Sequence, residues 1–302
     1  MDALVLALLF AAQDASAPAA DGAPAIDLAP AIDNAGDAVP ATEPASRTDA
    51  APPASPAAPP LPSFAIARVR THDPVVALTF DACATLKQDN GFDREVFDIL
   101  KREHIPATVF PTGRWIEAHP AEAKELAAQT WIELGNHTYS HARMTKIPRN
   151  KARQQLARTE AIIDGLGRKS VAFRPPAGAW NRSVVRLAAE QHLPTVEWDV
   201  VSGDAGGYIA AKTMVATVLA SVKAGSIVIF HINGRGPHTK EALPDIIRGL
   251  REKGFGFVTV SELLQLPDAH PVSARPSPFG YPPLHEKAPT PENGAVNAIP
   301  PG

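Results

Sequence analysis

Residues 75–81 read Val-Val-Ala-Leu-Thr-Phe-Asp, a short apolar run that ends abruptly on a carboxylate. A run this short and this apolar has no polar face, which predicts a strand covered on both sides. The chain beyond it repeats one pattern: an apolar run, a polar or Gly/Pro-bearing loop, then an amphipathic helix. The candidate strands are 75–80, 107–110, 131–134, 171–173, 195–200, 226–230 and 255–260. Between them, Ala152, Leu156, Thr159, Ile163 and Leu166 fall on one helical face, and Gly167 stands just past its end as a C-cap. Pro120 opens a helix over 120–129, and Gly254 closes one that begins near Thr239. Seven strands alternating with helices predict an α/β fold with a parallel sheet, closed as a distorted (β/α) barrel of seven or eight units. No Gly-rich dinucleotide loop follows the first strand, which argues against an open doubly wound sheet.

Proline marks the limits of that domain. Of 31 prolines, 11 lie in residues 1–62 and 10 in 267–302, leaving 10 for the 204 residues between. Residues 18–62 are mostly Ala, Pro and Asp without helical or strand periodicity, and are expected to be a disordered linker. Residues 63–267 read as the single folded domain and 268–302 as a Pro-rich tail. Residues 3–12, ALVLALLFAA, make an apolar run of ten, which as a helix reaches about half of a ~30 Å hydrocarbon core. With Ala15-Ser16-Ala17 as a small-x-small cleavage pattern, residues 1–17 read as a secretory signal peptide, although Asp2 stands where a basic residue is usual. The expected location is therefore periplasmic or secreted, with no transmembrane span in the mature chain.

The formal net charge of −3, from 29 basic and 32 acidic residues, lacks the positive field that holds a protein on nucleic acid. The single cysteine, Cys83, excludes an internal disulfide and a cysteine-only zinc knuckle. It directs any metal to His, Asp or Glu, and itself reads as a small buried apolar residue ahead of the alternative, a thiolate ligand to the metal. No feature points to a protein partner.

A barrel of this kind gathers its chemistry at the C-terminal ends of its strands. Those positions carry Asp81, the pair His137 and His141, Arg174, the acids Asp199 and Asp204, and His231. Four residues apart, His137 and His141 would share one face of a helical turn, where two imidazoles can hold one metal. Singly, each residue has an ordinary reading: Asp81 as a helix N-cap, Arg174 as an ion-pair partner, His231 as a core histidine. Together they stand at strand ends that the fold makes converge.

The order of these segments resembles the polysaccharide deacetylases, carbohydrate esterase family four. TFDA at 79–82, HTYSH at 137–141, RPPAG at 174–178, WDVVSGD at 198–204 and IVIFH at 227–231 follow one another as the family's five motifs do, over about residues 73–266. The resemblance implies removal of N-acetyl groups from an amino-sugar polymer such as peptidoglycan, a chitin-like chain or an exopolysaccharide. It implies a divalent metal, zinc, on His137 and His141, Asp81 as general base and His231 as general acid. Arg174 would hold Asp81 ionised, and Asp199 or Asp204 would tune His231. Three positions depart from the pattern. Ala82 replaces the second Asp of TFDD, the family's third metal ligand. Ala177 replaces an aromatic whose backbone N–H serves the oxyanion, and Ala205 replaces a Trp. Ala82 motivates the alternatives, a metal-independent amidohydrolase of the same fold or a glycan-binding protein without catalysis.

Overall fold

The computed structural model describes residues 60–87, 90–206 and 209–275. The expected signal segment, most of the linker and the chain after 275 lie outside the described residues. Among the described residues, no helix is long and apolar enough to cross a membrane.

Strand β1 (Ile66–Arg70) leads into β2 (Val75–Ala82), followed by β3 (Ala107–Pro111), β4 (Ile132–Leu134), β5 (Val200–Val201), β6 (Ile227–His231), β7 (Gly256–Phe257) and β8 (His270–Ser273). The main sheet is parallel in the order β4-β3-β2-β6-β5, and β7 pairs with the first residues of β2. Backbone hydrogen bonds close the gap between β4 and β5. Val171 N donates to Leu134 O (2.9 Å), Arg174 N to Asn136 O (2.9 Å), Val196 N to Phe173 O (2.8 Å) and Asp199 N to Ile227 O (3.3 Å). The result is the distorted barrel that the alternating pattern predicts. Two expected strands, 171–173 and 195–200, are reduced to isolated bridges and the short β5. Pro175, Pro176 and Pro194 flank them, and a residue without an N–H cannot extend a ladder.

Alternation along β2 separates two layers. Val76, Leu78, Phe80, Ala82 and then Ala84 join the apolar layer under the helices, with Phe97 and Leu100 of α1 (Arg94–Arg102). Ala77 faces the barrel interior with Ile227, Ile229 and Phe110. Residues of odd number in β2 therefore look inward, and Asp81 is the last of them within the strand.

Further helices are α2 (Gly113–Ala118), α3 (Pro120–Ala128), α4 (Arg149–Asp164), α5 (Arg182–Ala189), α6 (Ala211–Ser221), α7 (Thr239–Glu252) and α8 (Val260–Leu264). Helix α4 buries Ala152, Leu156, Thr159 and Ile163, the face that the spacing predicts. Gly167 and Gly254 take the left-handed conformation expected past helix ends, at φ +73° and +83°.

The domain continues past the expected boundary at 267. Strand β8 pairs antiparallel with β1, Ala274 N donates to Ala65 O (2.7 Å), and Asp268 accepts from Thr71 Oγ1 (2.6 Å) and His72 N (2.8 Å). Pro271 is tolerated because β8 is an edge strand that pairs with β1 alone among the described strands.

Candidate active site

The β2–β6 register sets the centre of the site, because Asp81 and His231 are Cα partners on adjacent parallel strands. Asp81 Oδ1 accepts from Arg174 Nη1 at 3.0 Å. The Arg174 side chain is wholly buried, its Cζ 4.1 Å from the Phe110 ring centroid and 5.5 Å from that of Trp198, and it donates also to the Glu197 carbonyl (3.2 Å). Burial pushes the Asp81 carboxyl up, but the electrostatic pull of His137, Arg174 and His231 and the Arg174 hydrogen bond outweigh it and hold the group below its ordinary value. Asp81 is an ionised carboxylate with its geometry fixed from behind.

His231 Nδ1 lies 3.0 Å from Asp204 Oδ1, while Asp204 Oδ2 accepts from His231 N (2.5 Å) and Thr239 Oγ1 (3.2 Å). The carboxylate fixes the tautomer: Nδ1–H donates to Asp204, and Nε2 is the nitrogen left for a substrate. Burial works to lower the His231 pKa, and the charge and hydrogen bond of Asp204 more than offset it, so the imidazole titrates above its ordinary value. Of the two acids in the WDVVSGD segment, Asp204 is the one that meets His231. Asp199 turns to the opposite end of β6, where it accepts from Ser226 Oγ and Ile227 N, each at 2.9 Å, and stands outside the site.

The two other histidines come together by a different route from the helical turn expected of them. Residues 137–141 form a loop in which Thr138 (φ 65°) and His141 (φ 56°) are left-handed. Asn136 braces it, with Oδ1 accepting from Thr138 N (2.9 Å) and Nδ2 donating to Leu156 O (3.0 Å). The rings of His137 and His141 pack edge to face at 5.0 Å. His137 Nδ1 donates to the Arg174 carbonyl (2.8 Å), so its Nε2 carries the lone pair. That Nε2 is buried without a hydrogen-bond partner, 3.5 Å from Asp81 Oδ2. Burial lowers both pKa values, that of His141 to about 3 with His137 as the next cause, which favours the neutral form of each ring, the form that can bind a metal. An imidazole lone pair facing a carboxylate with no proton between them suits a cation, and the donor set fits a divalent metal. Cys83, read as an apolar filler, is buried beside this pair: its Sγ and one nitrogen each of His137 and His141 all lie within 4.8 Å of one another. Burial and then the Asp81 charge push its thiol well above the usual range, so the free thiol is no nucleophile.

A cavity of about 200 Å³ opens over these groups, walled by Trp198, Val201 and Ile229, with Asp81, His141 and His231 facing it. Concavities of about 410 and 570 Å³ lie elsewhere and are lined by no carboxylate, imidazole or thiol. Ala177 and Ala205 both line the smaller cavity, and Ala177 is held at φ 58°. Sequence reasoning missed Thr239, Asn233 and Arg235. Thr239 reads only as a helix start, yet it reaches Asp204. Asn233 lies in the bend after the strand and donates Nδ2 to the Cys83 carbonyl (2.7 Å), and Arg235 lines the cavity. Glu197, beneath Arg174, is wholly buried with neither carboxylate oxygen hydrogen-bonded, and burial pushes its carboxyl well above the ordinary value.

The barrel thus brings a carboxylate and an imidazole to neighbouring strand ends with two further imidazoles beside them, groups of the kind that hydrolases use. The polysaccharide deacetylase family model matches residues 68–196, and the chain belongs to that family, as the order of its five motifs implies. It is similar to a peptidoglycan-N-acetylglucosamine deacetylase of Bacillus cereus, 34% identical over 194 residues that make up 63% of this chain and 68% of the relative. Among solved structures it resembles a peptidoglycan N-acetylglucosamine deacetylase at 31% identity and TM-score 0.62, covering 68% of this chain and 94% of that one. It also resembles a CE4 family pseudoenzyme from Bacillus anthracis at 28% identity and TM-score 0.61, covering 68% and 70%.

Proposed function

We propose that this chain is an exported deacetylase that hydrolyses N-acetyl groups of an amino-sugar polymer, with peptidoglycan the leading substrate. It works with a divalent cation, zinc, held by His137 and His141. One observation carries the reading. A carboxylate oxygen of Asp81 and a ring nitrogen of His231 lie within 4.8 Å of each other beneath an open cavity, the first held ionised and the second held toward its protonated form. A binding module needs neither. The relatives named as peptidoglycan N-acetylglucosamine deacetylases support the substrate. The apolar run at 3–12 with its small-x-small pattern supports export to the periplasm or beyond.

When bound, a divalent cation lowers the pKa of a water to about 7 and polarises an acyl oxygen. The chain's own groups supply the proton transfers. Asp81 takes a proton from the attacking water, and Arg174 holds it oriented and charged. His231 gives the proton on Nε2 to the leaving nitrogen, while Nδ1–H on Asp204 fixes the ring. Amide and water thus become acetate and a free amine. Trp198 and Val201 offer an apolar wall to a sugar face, and alanines at 177 and 205 leave room above it.

The test is acetate release from purified peptidoglycan and from N-acetylated amino-sugar oligomers. Asp81→Asn and His231→Ala are each expected to lose at least about a hundredfold in rate with the fold intact, since each removes a proton-transfer partner. Activity within threefold of the parent would overturn the assigned role. The second reading, metal-independent hydrolysis, is motivated by Ala82. It takes over if activity survives exhaustive chelation and is unchanged in His137→Ala.

A further inference from the structure

The cation reading leaves two imidazoles where zinc in catalytic sites takes three protein ligands. Ala82 has no donor atom and belongs to the apolar layer under the helices. The next inward position is 83. Cys83 Sγ and one nitrogen each of His137 and His141 lie mutually within 4.8 Å. That is close to twice a zinc–ligand bond of about 2.0–2.3 Å, so small side-chain rotations close the set on one ion. His137 Nε2, 1% exposed and without a hydrogen-bond partner, points independently to a missing cation there.

The backbone that carries the thiol is fixed from both sides. The Cys83 carbonyl accepts from Asn233 Nδ2 (2.7 Å) and Asn90 Nδ2 (2.6 Å). Thr112 N donates to Ala82 O (3.0 Å), and Ala84 N donates to Thr112 Oγ1 (2.9 Å). Ligand sites are built this way, on backbone that outer residues hold in place. Cys83 is 1% exposed and stands behind the cavity, whereas His141 faces it. A nucleophile has to reach the substrate; a ligand has only to reach the ion.

We propose that Cys83 Sγ is the third protein ligand of the cation held by His137 and His141, making a His2Cys zinc site. His141, which lines the cavity, would bring the ion within reach of a substrate there. The inference rests on the cation reading above and deepens it. On binding, the thiol proton leaves to solvent and the sulfur–metal bond takes its place. A thiolate is a soft donor, so the site selects zinc over magnesium or manganese.

The decisive measurement is the absorption spectrum of the full-length protein loaded with cobalt(II), beside zinc affinity by competition with a chromophoric chelator. The parent is expected to bind one ion and to display a near-ultraviolet sulfur-to-cobalt charge-transfer band. In Cys83→Ser the band is expected to vanish and zinc to bind at least about tenfold more weakly. One ion bound without a sulfur band overturns the proposal while leaving the two-histidine reading in place, and this outcome needs no variant to fold. Zinc affinity unchanged in Cys83→Ser does the same. A parent that binds no ion overturns both.

Discussion

Both carboxylate oxygens of Asp204 are committed around His231, one to its ring and the other to its backbone N–H and to Thr239. Burial alone would lower the imidazole, so removing the charge with Asp204→Asn should move the alkaline limb of kcat/KM toward lower pH, by about one unit or more. A limb that stays in place above a reduced plateau would restrict Asp204 to steering the ring. Gly236 closes the same corner: a Cβ there would meet Thr239 Oγ1 at 2.1 Å and Asp204 Oδ2 at 2.8 Å. Gly236→Ala must therefore push the carboxylate off His231 or shift the start of α7, at an overpacking cost of roughly 1–3 kcal/mol. Loss of about tenfold in kcat or more, with KM little changed, is the expected result, since a displacement near 1 Å at a catalytic group can cost 10²-fold. Steady-state kinetics on the two variants separate the charge of Asp204 from its position.

Strand β8 carries the clearest consequence at the level of elements. A chain ending at 268 lacks β8 and so loses its ladder with β1 and the Ala274–Ala65 bond, which residues 60–275 keep. At about 1 kcal/mol per hydrogen bond the loss is roughly 2–4 kcal/mol, or about 5–10 °C in Tm at this size, readable by calorimetry of the two chains. Equal Tm values would make the ribbon an ornament. The same strand marks what could be read from the sequence. Periodicity found the runs at 75–80, 107–110 and 226–230 because each is apolar at all but one position, and it found the buried face of α4. It missed β8 because proline dominates the local composition there, and β1 because Arg68 and Arg70 interrupt its apolar residues. It overestimated the strands near 171 and 195, where flanking prolines leave single bridges. Motif order brought Asp81, Arg174, His137, His141 and His231 to one face. It could not decide between Asp199 and Asp204, since that choice depends on which end of β6 each meets. Nor could spacing reveal that left-handed residues at 138 and 141, rather than a helical turn, bring the two imidazoles together.

Across the whole molecule, the buried histidines give stability a pH dependence of their own. His141 titrates at about 3 in the folded chain, against about 6.5 unfolded. Between those values the unfolded chain binds a proton that the folded one refuses, so stability rises with pH through that window and is lost on acidification. His137, also lowered, adds to the same slope, and Asp81, lowered among carboxylates, extends it to more acid pH. His231 has the opposite sign. Its raised pKa contributes stability that is complete below about 6.5 and fades as pH climbs through its folded value. Glu197, raised by burial, works against this slope above its unfolded pKa, and the two histidines with Asp81 are expected to outweigh it, so the metal-free protein should be most stable near neutrality. Urea midpoints from pH 4 to 9 in the presence of a chelator measure this without the added stabilisation of a bound ion. His141→Asn should flatten the acid limb, and Asp204→Asn should flatten the alkaline one. An acid limb unchanged in His141→Asn would mean that the ring gains its proton without unfolding, and that the pocket around it relaxes to accept the charge.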